Sequence, residues 1–154
     1  MHCRSARPHQ QGFTLAELMI SLVVIGLLMA IMVPNVRSQI PRYQLNGAAR
    51  QVLGDLMAAR MRAISQNTTV KVSFPDTHTY TVCNFDSTQN KCTGTVSTKN
   101  IQQDYRDVTL TANNNPVFLS RGTATNLATI TLTNVSGSKD ITVNITGRVK
   151  IKVG

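Results

Sequence analysis

The sequence predicts an α+β chain: a long N-terminal helix, apolar then amphipathic, packed against a C-terminal antiparallel β-sheet head. Three observations carry this prediction. The stretch from Phe13 to Val33 is apolar except for one charge, Glu17. Beyond Pro34, the residues Leu45, Ala48, Ala49, Val52, Leu53, Leu56, Met57 and Ile64 fall at the three-and-four spacing of one helix face. From Val70 onward, short β-branched runs alternate apolar and polar residues between turn sequences.

At about 1.5 Å per residue, a helix from Phe13 to Val33 would run roughly 31 Å, matching a hydrocarbon core of about 30 Å. The preceding "MHCRSARPHQQG" carries Arg4 and Arg7 and no acidic residue. The positive-inside rule therefore keeps the N-terminus cytoplasmic and sends the rest of the chain across. A secretory signal would have a shorter apolar region and a small-residue cleavage site after it, and neither is evident. Cys3 lies before the apolar run, which excludes a lipoprotein signal.

Glu17 is the anomaly. An ionised carboxylate at helix-centre depth costs about 2.5 to 3.5 kcal/mol, less near the membrane edge. Cleavage between Gly12 and Phe13 would create an ammonium one helical turn from Glu17. That pair can close within one helix or between staggered neighbours, and in low dielectric the attraction is strong enough to set register.

The run "GFTLAELMISLVVIGLLMAIMVP" resembles the class III signal of type IV pilins and type II secretion pseudopilins. The resemblance covers a short basic leader (1–12), Gly12 before the cut, Phe13 as first mature residue, Glu17 at the fifth mature position and Pro34 after the apolar stretch. It implies the pilin fold and a prepilin peptidase that cuts after Gly12 and methylates the Phe13 amine. It also implies that Glu17 pairs with a neighbour's N-terminus in a helical filament of major and minor pilins. Residues 13–34 then form the transmembrane and assembly helix, 35–66 its amphipathic outer half, and 67–154 a periplasmic head. The expected location is the inner membrane, single-pass, before incorporation into a pilus or pseudopilus.

Pro34 and Pro41 each remove a backbone donor, so a bend or local loosening is expected between the two halves of the helix. Arg42, Arg50 and Arg62 fall near one rail and read as a solvated face. "SQNTT" ends the helix, and "VKVSF", "PDTH" and "TYTVC" read as a hairpin. Further strands are expected at 108–111, 117–120, 128–133, 141–145 and 148–153, with "NNNP" and "SGSKD" as turns. The segment from Asn84 to Asn100 reads as a loop. From Phe118 onward, "F..RG", the alternating strands and "ITVNITGRVKIKVG" resemble the GspH/FimT subgroup of minor pilins and pseudopilins.

Cys83 and Cys92 would both lie in an oxidising compartment, and a disulfide between them is expected. By loop entropy it would stabilise the head by about 2.5 to 3 kcal/mol. His2, Cys3 and His9 belong to the leader, and His78 stands alone in a turn. No metal site, cofactor or catalytic constellation assembles from what remains, so the chain is not expected to be an enzyme.

Sixteen Lys and Arg against seven Asp and Glu give a net charge of +9, which suits anionic partners where the cations cluster. They cluster in "TGRVKIKVG", where Val149, Ile151 and Val153 would face a core and Arg148, Lys150 and Lys152 would project together on the other side. In-line side chains on a strand are about 7 Å apart, near phosphate spacing along a single strand, and Gly147 would permit a bulge or a close approach just before them. Such a face suits DNA bound without base readout, although lysines also guard an edge strand against pairing. The resemblance adds that a Gly-Arg-x-Arg motif near the C-terminus of FimT-type minor pilins is associated with DNA binding in natural transformation. Gly147 and Arg148 match it, while Lys150 replaces the second Arg, keeping its charge and losing its bidentate fork. The competing expectation is a GspH-like pseudopilin of a type II secretion system with no DNA binding.

Overall fold

The computed structural model describes residues 12–153; the leader residues 1–11, the Val153 side chain and Gly154 lie outside that description. The expectations for Arg4, Arg7, Cys3, His2 and His9 therefore fall outside it too. The chain divides into two compact units, Met1–Gln39 and Ile40–Gly154. Helix α1 (Leu15–Ser65) is continuous in helical assignment through Pro34 and Pro41. In the first unit Thr14 precedes its first turn, and the Thr14 hydroxyl accepts from the Glu17 N–H at 3.3 Å. Thr14 and Glu17 are thus spaced as in a capping box, with an acidic residue in the first turn where the helix dipole favours it.

The helix stops at "SQN" for a backbone reason. Asn67 takes the left-handed conformation (φ 49°). Thr68 N–H then reaches the Ala63 carbonyl at 3.1 Å and Asn67 N–H the Ile64 carbonyl at 3.3 Å. This is a Schellman ending with Asn in the usual glycine position.

Eight strands follow: β1 (Val70–Ser73), β2 (Thr79–Asp86), β3 (Lys91–Asn100), β4 (Thr109–Ala112), β5 (Val117–Phe118), β6 (Ala128–Asn134), β7 (Gly137–Val143) and β8 (Val149–Val153). They form two four-stranded sheets, ordered β3-β2-β1-β5 and β4-β6-β7-β8, with every pair antiparallel. The first hairpin turn is held by Asp76, which accepts from the Thr79 hydroxyl at 2.6 Å and from the His78 N–H at 2.7 Å. These bonds, the hydroxyl first, hold its carboxyl below the usual carboxylate range.

The core of the second unit gathers one helix stripe and the inner faces of both sheets. Leu45, Ala48, Ala49, Val52, Leu56, Ala59 and Ala63 are buried against Val70, Val72, Tyr80, Phe118, Leu110, Ile130, Leu132 and Ile141. Met57 and Ile64, expected on that stripe, are exposed instead. They lie to the side of the line through Leu56, Ala59 and Ala63, whose small side chains let the sheets approach the helix.

The segment from Asn84 to Asn100 is not the expected loop: it contains the end of β2 and all of β3. Residues Thr79 to Val82 pair with Ser97 to Asn100, and Asn84 to Asp86 with Lys91 to Thr93, with a register shift between the two blocks. β3 is exposed along nearly its whole length, so it carries no apolar alternation to mark it. The Cys83–Cys92 disulfide is present, with Cα atoms 5.7 Å apart, and it staples two strands rather than a loop.

Candidate functional site

The two regions singled out by sequence lie in different units. Around the N-terminal junction, Gly12, Phe13 and Glu17 are all exposed. From residue 12 to residue 39 every position is exposed, so this apolar surface has no partner within the described residues. By length and composition, the helix is apolar enough to cross a membrane.

In the second unit, β8 is the edge of its sheet and pairs only with β7, bringing Lys150 opposite Thr142 and Lys152 opposite Asp140. Val149 is buried and Ile151 packs partly against the core. Arg148, Lys150 and Lys152 are exposed, as the alternation predicts. Register extends their face across the sheet: Thr131 lies opposite Asp140, and Thr129 opposite Thr142. The outer surface is therefore a threonine-rich apron bordered by cations. Asp140 is committed to the Thr131 hydroxyl at 2.7 Å. Among the described residues the one salt bridge is Lys99–Asp55, so Arg148, Lys150 and Lys152 have no carboxylate within ion-pair distance. The same cations keep a second chain from pairing with the edge.

Lys139, another nearby cation, shares the row of Leu132 and so belongs to the opposite face. Arg121 is exposed beside Gly122. Gly147 has a role other than the expected approach to a ligand. It is buried at φ 72°, and a side chain there would collide with the Gly122 carbonyl oxygen and come within 2.9 Å of the Arg60 Nε. The close approach is between two turns of the protein itself. Gly122 N–H donates to the Leu119 carbonyl and Gly147 N–H to the Asn144 carbonyl, both at 2.8 Å. Arg60 Nε donates to the Gly122 carbonyl at 2.8 Å, tying these turns to α1. Arg60 then lines a groove of about 300 Å³ together with Met57, Met61, Gly147, Arg148 and Val149. Sequence reasoning missed Arg60, because nothing local in a helical Arg announces a contact 62 residues away.

Comparison with known proteins fits this architecture. A family model described as type II transport protein GspH matches residues 48–147. The chain belongs to the GspH family of minor pilins and pseudopilins. A second model, the prokaryotic N-terminal methylation motif, matches residues 7–33. No curated protein sequence matches the chain. Among solved structures, the type IV minor pilin FimU of Pseudomonas aeruginosa is 17% identical, with a TM-score of 0.60 over 73% of this chain and 90% of that one. The minor pseudopilin EpsH from the type 2 secretion system of Vibrio cholerae is 11% identical, with a TM-score of 0.57 over 71% of this chain and 97% of that one. Both share the fold, a long helix on an antiparallel sheet head. The GspH match stops at Gly147, just before Arg148 and the strand β8. Membership therefore accounts for the scaffold, while the cations of β8 must be read from their own geometry.

Proposed function

We propose that this GspH-family chain is a minor pilin that joins a type IV pilus through its N-terminal helix and binds DNA, without reading its sequence, during natural transformation. The observation that carries the DNA reading is the edge strand β8 with the residue before it, which together expose Arg148, Lys150 and Lys152 free of carboxylate partners among the described residues. On the assembly side, prepilin peptidase cuts between Gly12 and Phe13 and the Phe13 amine is methylated. Glu17 then meets the N-terminus of a neighbouring pilin. The chain sits in the inner membrane with its N-terminus cytoplasmic and its head periplasmic until it enters the filament.

The test is a binding titration of the full chain in detergent micelles against a labelled duplex at rising salt. Backbone binding gives a log–log salt slope of about 0.9 per phosphate contact, so roughly 2 to 3 overall. Replacing Arg148→Gln with Lys150→Gln should weaken binding and flatten that slope; binding unchanged by the pair sinks the assignment. The family description, type II transport, favours a second reading: a secretion pseudopilus subunit with no DNA binding. A wild-type chain with no salt-sensitive affinity for duplex, recovered in a complex with secretion pseudopilins, would establish that reading instead.

A further inference from the structure

We infer that Arg60, on the outer half of α1, supplies the second guanidinium of the anion site, gripping a phosphate together with Arg148. The inference rests on the DNA-binding reading above and adds to it a contact from outside the strand. The segment from Arg148 through β8 carries one arginine, Arg148, and its other cations are the lysines Lys150 and Lys152, which have no guanidinium fork. The geometry points to the helix as the source of a second fork. Arg60 and Arg148 line the same groove of about 300 Å³, and Gly147, packed against both the Gly122 carbonyl and the Arg60 Nε, has no side chain to stand between the two arginines.

Arg60 is also pre-oriented. A guanidinium carries five N–H donors in a rigid fork. Here Nε is spent on the Gly122 carbonyl at 2.8 Å, which fixes the plane and leaves the terminal N–H groups without a protein acceptor among the described residues. A guanidinium held this way loses little rotamer freedom when it binds, and its geometry suits a tetrahedral anion gripped by two donors. Arg60 is half-buried, and it has no carboxylate partner among the described residues. Met57 and Met61 form the apolar wall of the groove, which suits the sugar flanking a phosphate better than a bare inorganic anion. Arg148 and Arg60 thus make one clamp from two elements, with Lys150 and Lys152 extending the track along the strand.

The test uses the full chain in detergent micelles and a labelled DNA duplex, comparing Arg60→Gln, Arg148→Gln and Lys139→Gln. Lys139 lies on the opposite face and controls for loss of one positive charge. Arg60→Gln is expected to weaken binding about tenfold, the size of one charge-assisted hydrogen bond, and to flatten the salt slope by about 0.9, as Arg148→Gln does. Lys139→Gln should leave both nearly unchanged. If Arg60→Gln behaves like Lys139→Gln while Arg148→Gln weakens binding, the inference is overturned and the strand reading stands. If neither arginine variant changes binding, the DNA reading fails and the inference with it. Should Arg60→Gln not fold, the wild-type arginine Nε resonances decide. Duplex should move the Arg60 signal together with that of Arg148, and movement of Arg148 alone overturns the clamp.

Discussion

At the scale of single residues, two glycines with the same backbone hand separate conformation from packing. Gly94 (φ 75°) and Gly147 (φ 72°) both occupy the left-handed region, yet a Cβ on Gly94 meets open space, while one on Gly147 meets the Gly122 carbonyl and Arg60. Gly94→Ala should therefore cost about 1 to 2 kcal/mol, the price of a left-handed alanine. Gly147→Ala should cost clearly more, because backbone must move; urea unfolding of the two variants side by side checks the order. Tyr80 makes a second residue-scale case. Its ring is buried in the core, its hydroxyl donates to Asp55, and Asp55 also holds Lys99 at 2.5 Å. Burial first, then the bond to Asp55, pushes the phenol well above its ordinary value of 10.0. A raised folded-state value stabilises the head fully below the unfolded phenol's range and loses that contribution as pH climbs above about 10. Tyr80→Phe should lower stability by about 1 to 2 kcal/mol at neutral pH by leaving Asp55 short of a donor. The gap between wild type and variant should narrow in unfolding titrations at pH 11 relative to pH 8, and a constant gap would count against the coupling.

At the scale of elements, β3 shows where sequence reasoning stops. The helix, the first hairpin and the buried parts of the C-terminal strands were legible because each buries one face, and burial writes a period of 3.6 or 2 into the residues. The expected turn "SGSKD" is instead mostly the start of β7, which pairs with β6 but is exposed or half-buried there and carries no alternation. β3 buries neither face; "KCTGTVSTKN" is held by its ladder to β2 and by the disulfide, and neither leaves an alternating pattern. Of the site, the exposed cations Arg148, Lys150 and Lys152 were legible from alternation alone. Arg60 was not, since its partner is a backbone carbonyl in a distant turn. The disulfide should matter most to this pattern-free strand. Replacing Cys83 and Cys92 by Ala should cost about 2 to 3 kcal/mol through loop entropy. The loss should be local, with amide exchange accelerating first in Lys91–Asn100 and last in the helix-packed strands β6 and β7. Uniform acceleration across both sheets would show that the bond supports the whole core instead.

At the scale of the whole molecule, the N-terminal unit offers a long helical surface whose large apolar residues, from Phe13 to Val36, are all exposed. A face of that size must be covered by lipid or by other chains. Glu17 is the one acidic residue on it, and two physical roles compete for that side chain. As part of the Thr14–Glu17 cap it would stabilise the first turn of its own helix, worth about 1 kcal/mol or less, and Gln would serve nearly as well. As the partner of a neighbour's cleaved N-terminus, its charge is indispensable, because an amide in low dielectric gives up most of the attraction to an ammonium. The proposed assembly role therefore predicts that Glu17→Ala and Glu17→Gln both insert and are cut normally after Gly12, yet both are depleted from sheared filaments at least tenfold relative to wild type. Quantifying each variant in the membrane and filament fractions separates the roles: normal incorporation of Glu17→Gln alongside loss of Glu17→Ala would assign Glu17 to capping its own helix and leave filament register to the apolar packing around it.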